Sequence, residues 1–187
     1  MEKPIHILGF AGSLRGRSLN RALLAAAGEL LPEGSEMEIF DLTPIPLFNS
    51  ELEAEGLAPP PSVIALREAA ANCDALLIAT PEYNFSVPGV LKNALDWMSR
   101  GTVPPCSGKA LGILGASVGS LGSCRAQYHL RQIAVYLDLH PINRPEVFVS
   151  DARSKFDQHL RLVDGPTREI VSQHLRALVA WARKLRD

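Results

Sequence analysis

Residues 5–20 join an apolar run to a cluster of polar residues whose types suit an anionic ligand. The apolar run covers residues 5–10, and a helical pattern begins at Leu19 or Asn20. The loop between them carries the polar and small residues Gly12, Ser13, Arg15, Ser18 and Asn20. A strand, a polar turn and a helix N-terminus together form a common phosphate site, because the first N–H groups of the helix are unpaired and carry about half a positive charge. Serine hydroxyls and the forked guanidinium of Arg15 are additional donors for phosphate oxygens.

The spacing of this loop excludes three better-known phosphate motifs. The dinucleotide fingerprint requires G-x-G-x-x-G, and the Walker motif requires a terminal Gly-Lys-Ser/Thr, neither of which occurs at Gly9–Asn20. A low-molecular-weight phosphatase loop requires a cysteine nucleophile, and the nearest cysteine is Cys73. A structural alternative stays open, in which Ser13 and Asn20 only cap a helix and Arg15 lies in solvent.

Composition and charge restrict the class of protein. A chain of 187 residues is expected to form one domain with a full core, here residues 1–187. The net charge of −1 gives no indication of a nucleic-acid or anionic-membrane partner. No apolar run reaches the ~18 residues of a membrane span, and the first strand begins too early for a signal peptide. Three scattered cysteines without a C-x-x-C pair predict a reducing cytoplasm and no zinc site.

Hydrophobic periodicity predicts strands that alternate with helices. The predicted strands are residues 5–10, 37–42, 75–80, 110–116 and 145–149, and the predicted helices are 19–31, 62–72, 88–98, 124–137 and 167–185. We expect Met37 and Ile39 to face inward and Ser62 to be the N-cap of the second helix. Residues 43–61 should form a long surface connection. This alternation predicts an α/β fold with a five-stranded, doubly wound parallel sheet.

Three polar loops follow strand ends directly, at residues 12–20, 81–84 and 117–122. In the doubly wound strand order 2-1-3-4-5, the first, third and fourth strands are adjacent. Ligands of such sheets bind outside the carboxyl ends of the strands, at the switch in strand order. The three loops are therefore expected to converge on one site.

Two of these loops, together with the helix that follows the second, carry a family resemblance. Residues 12–20 (GSLRGRSLN), 81–84 (PEYN) and 92–97 (KNALDW) resemble the NADPH-dependent FMN reductase family, and most closely its bacterial quinone and chromate reductases. The similarity extends from the first strand to the last helix. It implies a flavodoxin-like fold, bound FMN, NADPH or NADH as hydride donor, and a homodimer or homotetramer.

The resemblance also implies a set of FMN-binding residues. Ser13, Arg15, Ser18, Leu19 and Asn20 would hold the phosphate, whereas Arg17 stays undecided. Pro81, Glu82, Tyr83 and Asn84 would line the isoalloxazine ring, with Ser117 and Gly119 as a third wall. Because FMN itself carries the chemistry, we expect no catalytic side chain. No two of the five histidines have metal-ligand spacing with a carboxylate, so we also expect no metal. The implied reaction is a two-electron ping-pong transfer to quinones, azo compounds, chromate or free flavins.

Several alternatives remain at this stage. An FMN-binding electron carrier of the flavodoxin type would lack direct NAD(P)H activity, and a hydrolase could use Ser13 as its nucleophile if a histidine lay within reach. Cys124 has no evident activating group and is expected to be inert. Arg125, Tyr128 and Arg131 share one helix face, which is either a subunit interface or a solvated surface.

Overall fold

A computed structural model describes residues 3–54 and 56–186 of the chain. The strands are β1 (Ile5–Ala11), β2 (Ser35–Ile39), β3 (Ala75–Ala79), β4 (Ala110–Ala116), β5 (His140–Pro141) and β6 (Val147–Val149). The helices are α1 (Leu19–Glu29), α2 (Pro61–Asn72), α3 (Gly89–Met98), α4 (Cys124–Tyr136) and α5 (Gly165–Arg186). Two short 3₁₀ helices, Ser50–Glu53 and Ala152–Ser154, lie in the connections.

All strand pairs of the sheet are parallel, and the order is β2-β1-β3-β4-β5, with β6 also paired to β4. This confirms the predicted α/β flavodoxin-like fold and its strand order. The predicted last strand at residues 145–149 is confirmed for Val147–Val149, but that edge also carries a separate short strand, His140–Pro141, which was not predicted. The backbone leaves the sheet between them, where Arg131 Nη2 donates to the Ile142 carbonyl oxygen and Pro145 has no N–H to donate.

The core consists of two layers, one on each face of the sheet. Successive side chains of β1 point to opposite faces, so that Ile5 and Ile7 pack in one layer while Leu8 and Phe10 pack in the other. Helices α1 and α5 cover the first face, and α2, α3 and α4 cover the second. Every residue of β3 and β4 is buried, as expected for central parallel strands between two helical layers.

Two sequence predictions about residue environments were wrong. Ile39 is 52% exposed rather than inward, because β2 is the edge strand and pairs only with β1. Ser62 is not an N-cap, since α2 begins at Pro61 and the cap position belongs to Pro60. The Ser62 hydroxyl instead donates to the Pro44 carbonyl oxygen at 2.9 Å and anchors the connection between β2 and α2.

None of the helices in residues 3–54 and 56–186 has both the length and the apolar character to cross a bilayer. Over the same residues, no group of three or more His, Cys, Asp or Glu side chains is arranged to hold a metal ion.

Candidate functional site

The loops that follow β1, β3 and β4 meet at the carboxyl edge of the sheet and enclose a cavity of about 150 Å³. All but two of the predicted site residues line it: Ser13, Arg15, Ser18, Leu19, Asn20, Pro81, Glu82, Tyr83 and Ser117. Asn84 and Gly119 do not contribute to the lining. Ala116 and Val118 do, and sequence reasoning missed them because neither has a polar side chain. Their position on either side of Ser117, at a strand end, was the available signal.

The first loop supplies hydrogen-bond donors and one cation. Two of the first four N–H groups of α1 already have acceptors. The Arg21 N–H donates to Ser18 Oγ, and the Ala22 N–H donates to the Ser18 carbonyl oxygen. Within the described residues, the N–H groups of Leu19 and Asn20 have no acceptor. Over the same part of the chain, the Arg15 guanidinium takes part in no hydrogen bond or ion pair. Unpaired donors and an unpaired cation at one helix N-terminus form a site for a multiply charged anion.

The Asn20 side chain has a different set of partners from those we expected. Its Nδ2 donates to the Ala116 carbonyl oxygen at 2.9 Å, and its Oδ1 accepts from the Ala116 N–H at 2.8 Å. Asn20 and Ala116 are both buried. The amide therefore joins the start of α1 to the end of β4, and of the Asn20 donors the backbone N–H is the one left for a ligand.

The second loop forms a tight hairpin. Tyr83 and Ser86 exchange two backbone hydrogen bonds, of 3.1 and 3.0 Å, and the intervening Asn84 and Phe85 both have positive φ angles, 50° and 65°. Two positive φ angles at the centre of a four-residue turn are the pattern of type I′ turns. Tyr83 is 46% exposed, so one part of its ring is available to a ligand.

The Glu82 carboxylate caps α4. One oxygen accepts from the backbone N–H groups of Arg125 and Ala126 at 3.0 and 3.3 Å, and the other accepts from Arg125 Nε at 2.6 Å. The glutamate side chain is only 7% exposed. A carboxylate at a helix N-terminus is stabilising there, and here it also neutralises Arg125. The Glu82 carboxylate therefore binds α4, and the part of Glu82 that can still bind a ligand in the cavity is its backbone.

Two glycines allow the three loops to approach one another. A Cβ at Gly115 would lie 2.0 Å from Ser123 Oγ and 2.3 Å from the Thr80 carbonyl oxygen. A Cβ at Gly12 would lie 2.9 Å from Pro88 Cγ. Since real Cβ atoms do not approach neighbours this closely, the absence of a side chain at both positions sets the spacing of the loops around the cavity.

A larger cavity of about 270 Å³ adjoins the first and shares Ser13 with it. It lies between α1 and the end of β2, and its charged lining residues are Arg21 and Asp41. Hydrogen bonds from Thr43 lower the pKa of Asp41, so this carboxylate is ionised near neutral pH. Each cavity therefore contains one carboxylate and one arginine. They differ in that the Glu82 carboxylate of the smaller cavity is paired with Arg125, which leaves the Arg15 guanidinium there without a carboxylate partner among the described residues.

Other candidate residues have partners within the protein. Arg17 Nη2 donates to the Gln158 carbonyl oxygen at 3.2 Å and does not line the cavity. On α4, Arg131 Nη2 donates to the Ile142 carbonyl oxygen. Tyr128, on the same helix, is 53% exposed. Within residues 3–54 and 56–186, no histidine hydrogen-bonds Ser13.

Comparison with known proteins identifies the family. The model of the NADPH-dependent FMN reductases matches residues 5–154. The chain belongs to the NADPH-dependent FMN reductase family. It is 51% identical over 186 residues to an NAD(P)H-dependent FMN reductase of Pseudomonas aeruginosa, with 100% of both chains covered. It is 35% identical over 189 residues to a quinone reductase of Escherichia coli, again with 100% of both chains covered.

The same family relation extends to plants and to solved structures. An NAD(P)H:quinone oxidoreductase of Solanum tuberosum is 44% identical, over 97% of this chain and 95% of its own. The flavoenzyme FerB of Paracoccus denitrificans, an NAD(P)H:acceptor oxidoreductase, superimposes with a TM-score of 0.87 at 29% identity, over 96% of this chain and 98% of its own. As a member of this NADPH-dependent FMN reductase family, the protein is an oxidoreductase.

Proposed function

We propose that this protein binds FMN in the cavity between the three loops and uses NAD(P)H to reduce quinones. The observation that carries the proposal is the donor set at the end of β1, where unpaired N–H groups, serine hydroxyls and the Arg15 guanidinium converge. When bound, FMN would supply the two-electron hydride chemistry that links NAD(P)H to the acceptor. The single six-stranded sheet supports treating the chain as one flavin-binding unit.

In this proposal the first loop holds the phosphate. Ser13 and Ser18 contribute hydroxyl donors, Leu19 and Asn20 contribute backbone N–H groups, and Arg15 contributes the positive charge. A flavin phosphate carries up to two negative charges near neutral pH, which fits one cation together with a helix N-terminus. The donor set is therefore of the right size and charge for this group.

The other two loops hold the ring system. The Glu82 backbone N–H offers a donor for the polar edge of the ring, and the Tyr83 ring offers an apolar face. Pro81 would pack against the ring, and Asn84 would act through the hairpin turn that it shares with Tyr83. Ser117 forms the opposite wall, and Gly119 supports it from outside the cavity, because its N–H donates to Ser117 Oγ at 3.1 Å. These side chains bind and orient the flavin, and we assign none of them a proton-transfer step.

The kinetics test this proposal directly. One site that serves first the donor and then the acceptor requires ping-pong behaviour, because NADP⁺ or NAD⁺ leaves before the quinone enters. Initial rates measured at several fixed quinone concentrations should give parallel double-reciprocal lines. Intersecting lines would contradict a single shared site.

Quinones are the acceptors for which support is strongest, because relatives named as quinone reductases cover this chain over nearly its full length. Azo compounds, chromate and free flavins are further small oxidants that an open site could reduce. The hydrolase alternative has little support, since no base is placed at Ser13 within the described residues. The carrier alternative fails if NADPH reduces the bound flavin.

We further propose a cytoplasmic homodimer or homotetramer. Cys73, Cys106 and Cys124 are free thiols, which suits a reducing compartment. Val135 and Tyr136 on α4 are 79% and 77% exposed, and such apolar exposure is typical of a subunit contact. Light scattering that gives a monomer at working concentration would refute the assembly.

A further inference from the structure

The Tyr83–Ser86 hairpin beside the proposed flavin site has an unfavourable central residue. Type I′ turns favour glycine or asparagine at positions with positive φ, and a bulky residue there is an outlier. Asn84 suits its position, but Phe85, with φ 65°, does not, and its ring is 65% exposed. Strained backbone of this kind persists where surrounding contacts enforce it, and it clusters at functional sites.

Besides its own two backbone hydrogen bonds, the hairpin is contacted by two side chains from the first two turns of α4. The Arg125 guanidinium lies over the Phe85 ring, 3.8 Å from its centroid. One turn further along, His129 Nδ1 lies 2.9 Å from Ser86 Oγ. Residues 125 and 129 are four apart and share a helix face, so α4 holds the hairpin at two points.

Glu82 connects these contacts to the cavity. Its buried carboxylate binds Arg125 through both Nε and Nη2 and caps the N-terminus of α4. A fixed carboxylate thereby sets where the Arg125 guanidinium lies, and the guanidinium sets where Phe85 lies. The backbone on either side, at Pro81 and Tyr83, lines the cavity.

We infer that Glu82 is a positioning residue, which acts through Arg125 and Phe85 to hold the Tyr83–Ser86 hairpin in register with the bound flavin. This inference rests on the proposed function. Loss of the Glu82 charge releases Arg125, relaxes the strained turn and misplaces the ring relative to the nicotinamide. Small displacements of reacting groups lower rates steeply, by as much as ~100-fold for about 1 Å.

The chain offers a matched control with the same three residue types. Arg100 is ion-paired with Glu53 and lies over the Phe48 ring at 5.5 Å, beyond the C-terminal end of α3 and outside the flavin cavity. Glu53→Gln therefore removes an equivalent charge from a Glu–Arg–Phe cluster that does not contact the hairpin. Glu82→Gln removes it from the cluster that does.

The experiment has two readouts, both on the full chain. In FMN-free protein, hydrogen exchange of the Tyr83 and Ser86 amides should become about tenfold faster in Glu82→Gln and stay unchanged in Glu53→Gln. In FMN-loaded protein, stopped-flow reduction by saturating NADPH should be about tenfold slower in Glu82→Gln and change less than about twofold in Glu53→Gln. Phe85→Leu is a second variant that leaves the α4 cap intact and can be used if Glu82→Gln fails to fold. It should make hydrogen exchange faster and flavin reduction slower, as Glu82→Gln does.

Two results would overturn the inference. If wild-type flavin is reduced by NADPH and Glu82→Gln matches Glu53→Gln in both readouts, the positioning role is wrong while the proposed function stands. If Phe85→Leu leaves both readouts at wild-type values, the connection through Arg125 is wrong. Failure of the wild-type flavin to be reduced refutes the proposed function instead, and the inference with it.

Discussion

Asn20→Ala should destabilise the protein even in the absence of FMN. The substitution removes two buried hydrogen bonds, of 2.9 and 2.8 Å, and leaves the Ala116 N–H and carbonyl groups without partners. Each buried polar group left unpaired costs about 1–3 kcal/mol, so we expect the two groups together to cost roughly 2–6 kcal/mol. For a chain of this size, at about 2–4 °C per kcal/mol, the melting temperature should fall by roughly 4–24 °C.

Urea unfolding of the FMN-free protein measures this loss, and Asn93→Ala is the matched control. Asn93 Oδ1 accepts from the Phe48 N–H at 2.7 Å and its Nδ2 donates to Pro46 O at 2.8 Å, away from the cavity. Both variants should lower the urea midpoint by similar amounts at unchanged slope. Only Asn20→Ala should also weaken FMN binding, because its amide joins the phosphate loop to β4.

The outcome separates two assignments for the Asn20 amide. If FMN-free Asn20→Ala unfolds at the wild-type urea concentration and stability is lost only in the FMN-loaded protein, the amide serves the ligand. The contact with Ala116 would then contribute nothing to folding, and our reasoning would be refuted.

Three further variants test other parts of the account. Arg15→Ala should raise the dissociation constant of FMN, measured by fluorescence titration, about 10- to 100-fold, because a charge-assisted hydrogen bond contributes about 1.5–3 kcal/mol. Arg17→Ala should change this constant less than about threefold. Burial lowers the pKa of His174 to about 4, so unfolding free energy should fall by up to roughly 3 kcal/mol from pH 6.5 to 4, and His174→Gln should flatten that slope in urea titrations. Gly115→Ala should lower the melting temperature by several degrees, while Gly16→Ala, with open space around it, should not.

Each of these expectations has a contrary result. Equal FMN affinity in the Arg15 and Arg17 variants would remove Arg15 from the phosphate site. The sign for His174 follows from a folded pKa below that of the unfolded chain, since acid then adds a proton to the unfolded state first. A wild-type slope in His174→Gln would assign the acid sensitivity to other groups, and a stable Gly115→Ala would show that the loops have room to separate.

The central strands were predictable because their burial leaves a continuous apolar signal. Residues 110–116 were predicted to the residue, and the β3 prediction ended one residue late. The edges were harder, because an exposed strand such as β2 has no apolar run that marks its inner face. The exposure of Ile39 depends on the absence of a second neighbour for β2, and the split between β5 and β6 depends on the long-range hydrogen bond from Arg131 to Ile142, and periodicity reports neither.

The candidate site was predictable as a set of loops but not as a set of contacts. Doubly wound topology brings strand ends together, so Ser13, Tyr83 and Ser117 share a cavity although they are far apart in sequence. The partners of Asn20 and Glu82 are long-range, at Ala116 and at Arg125. No local pattern shows that these polar side chains bind the protein itself.

The most direct test uses purified protein that has been loaded with FMN and freed of excess cofactor. NADPH or NADH is added in the absence of oxygen, and the flavin absorbance near 450 nm is followed. We expect the colour to bleach within seconds and to return when a quinone is added. Protein that stays colourless after incubation with FMN, or bound flavin that neither nucleotide bleaches, would contradict the account.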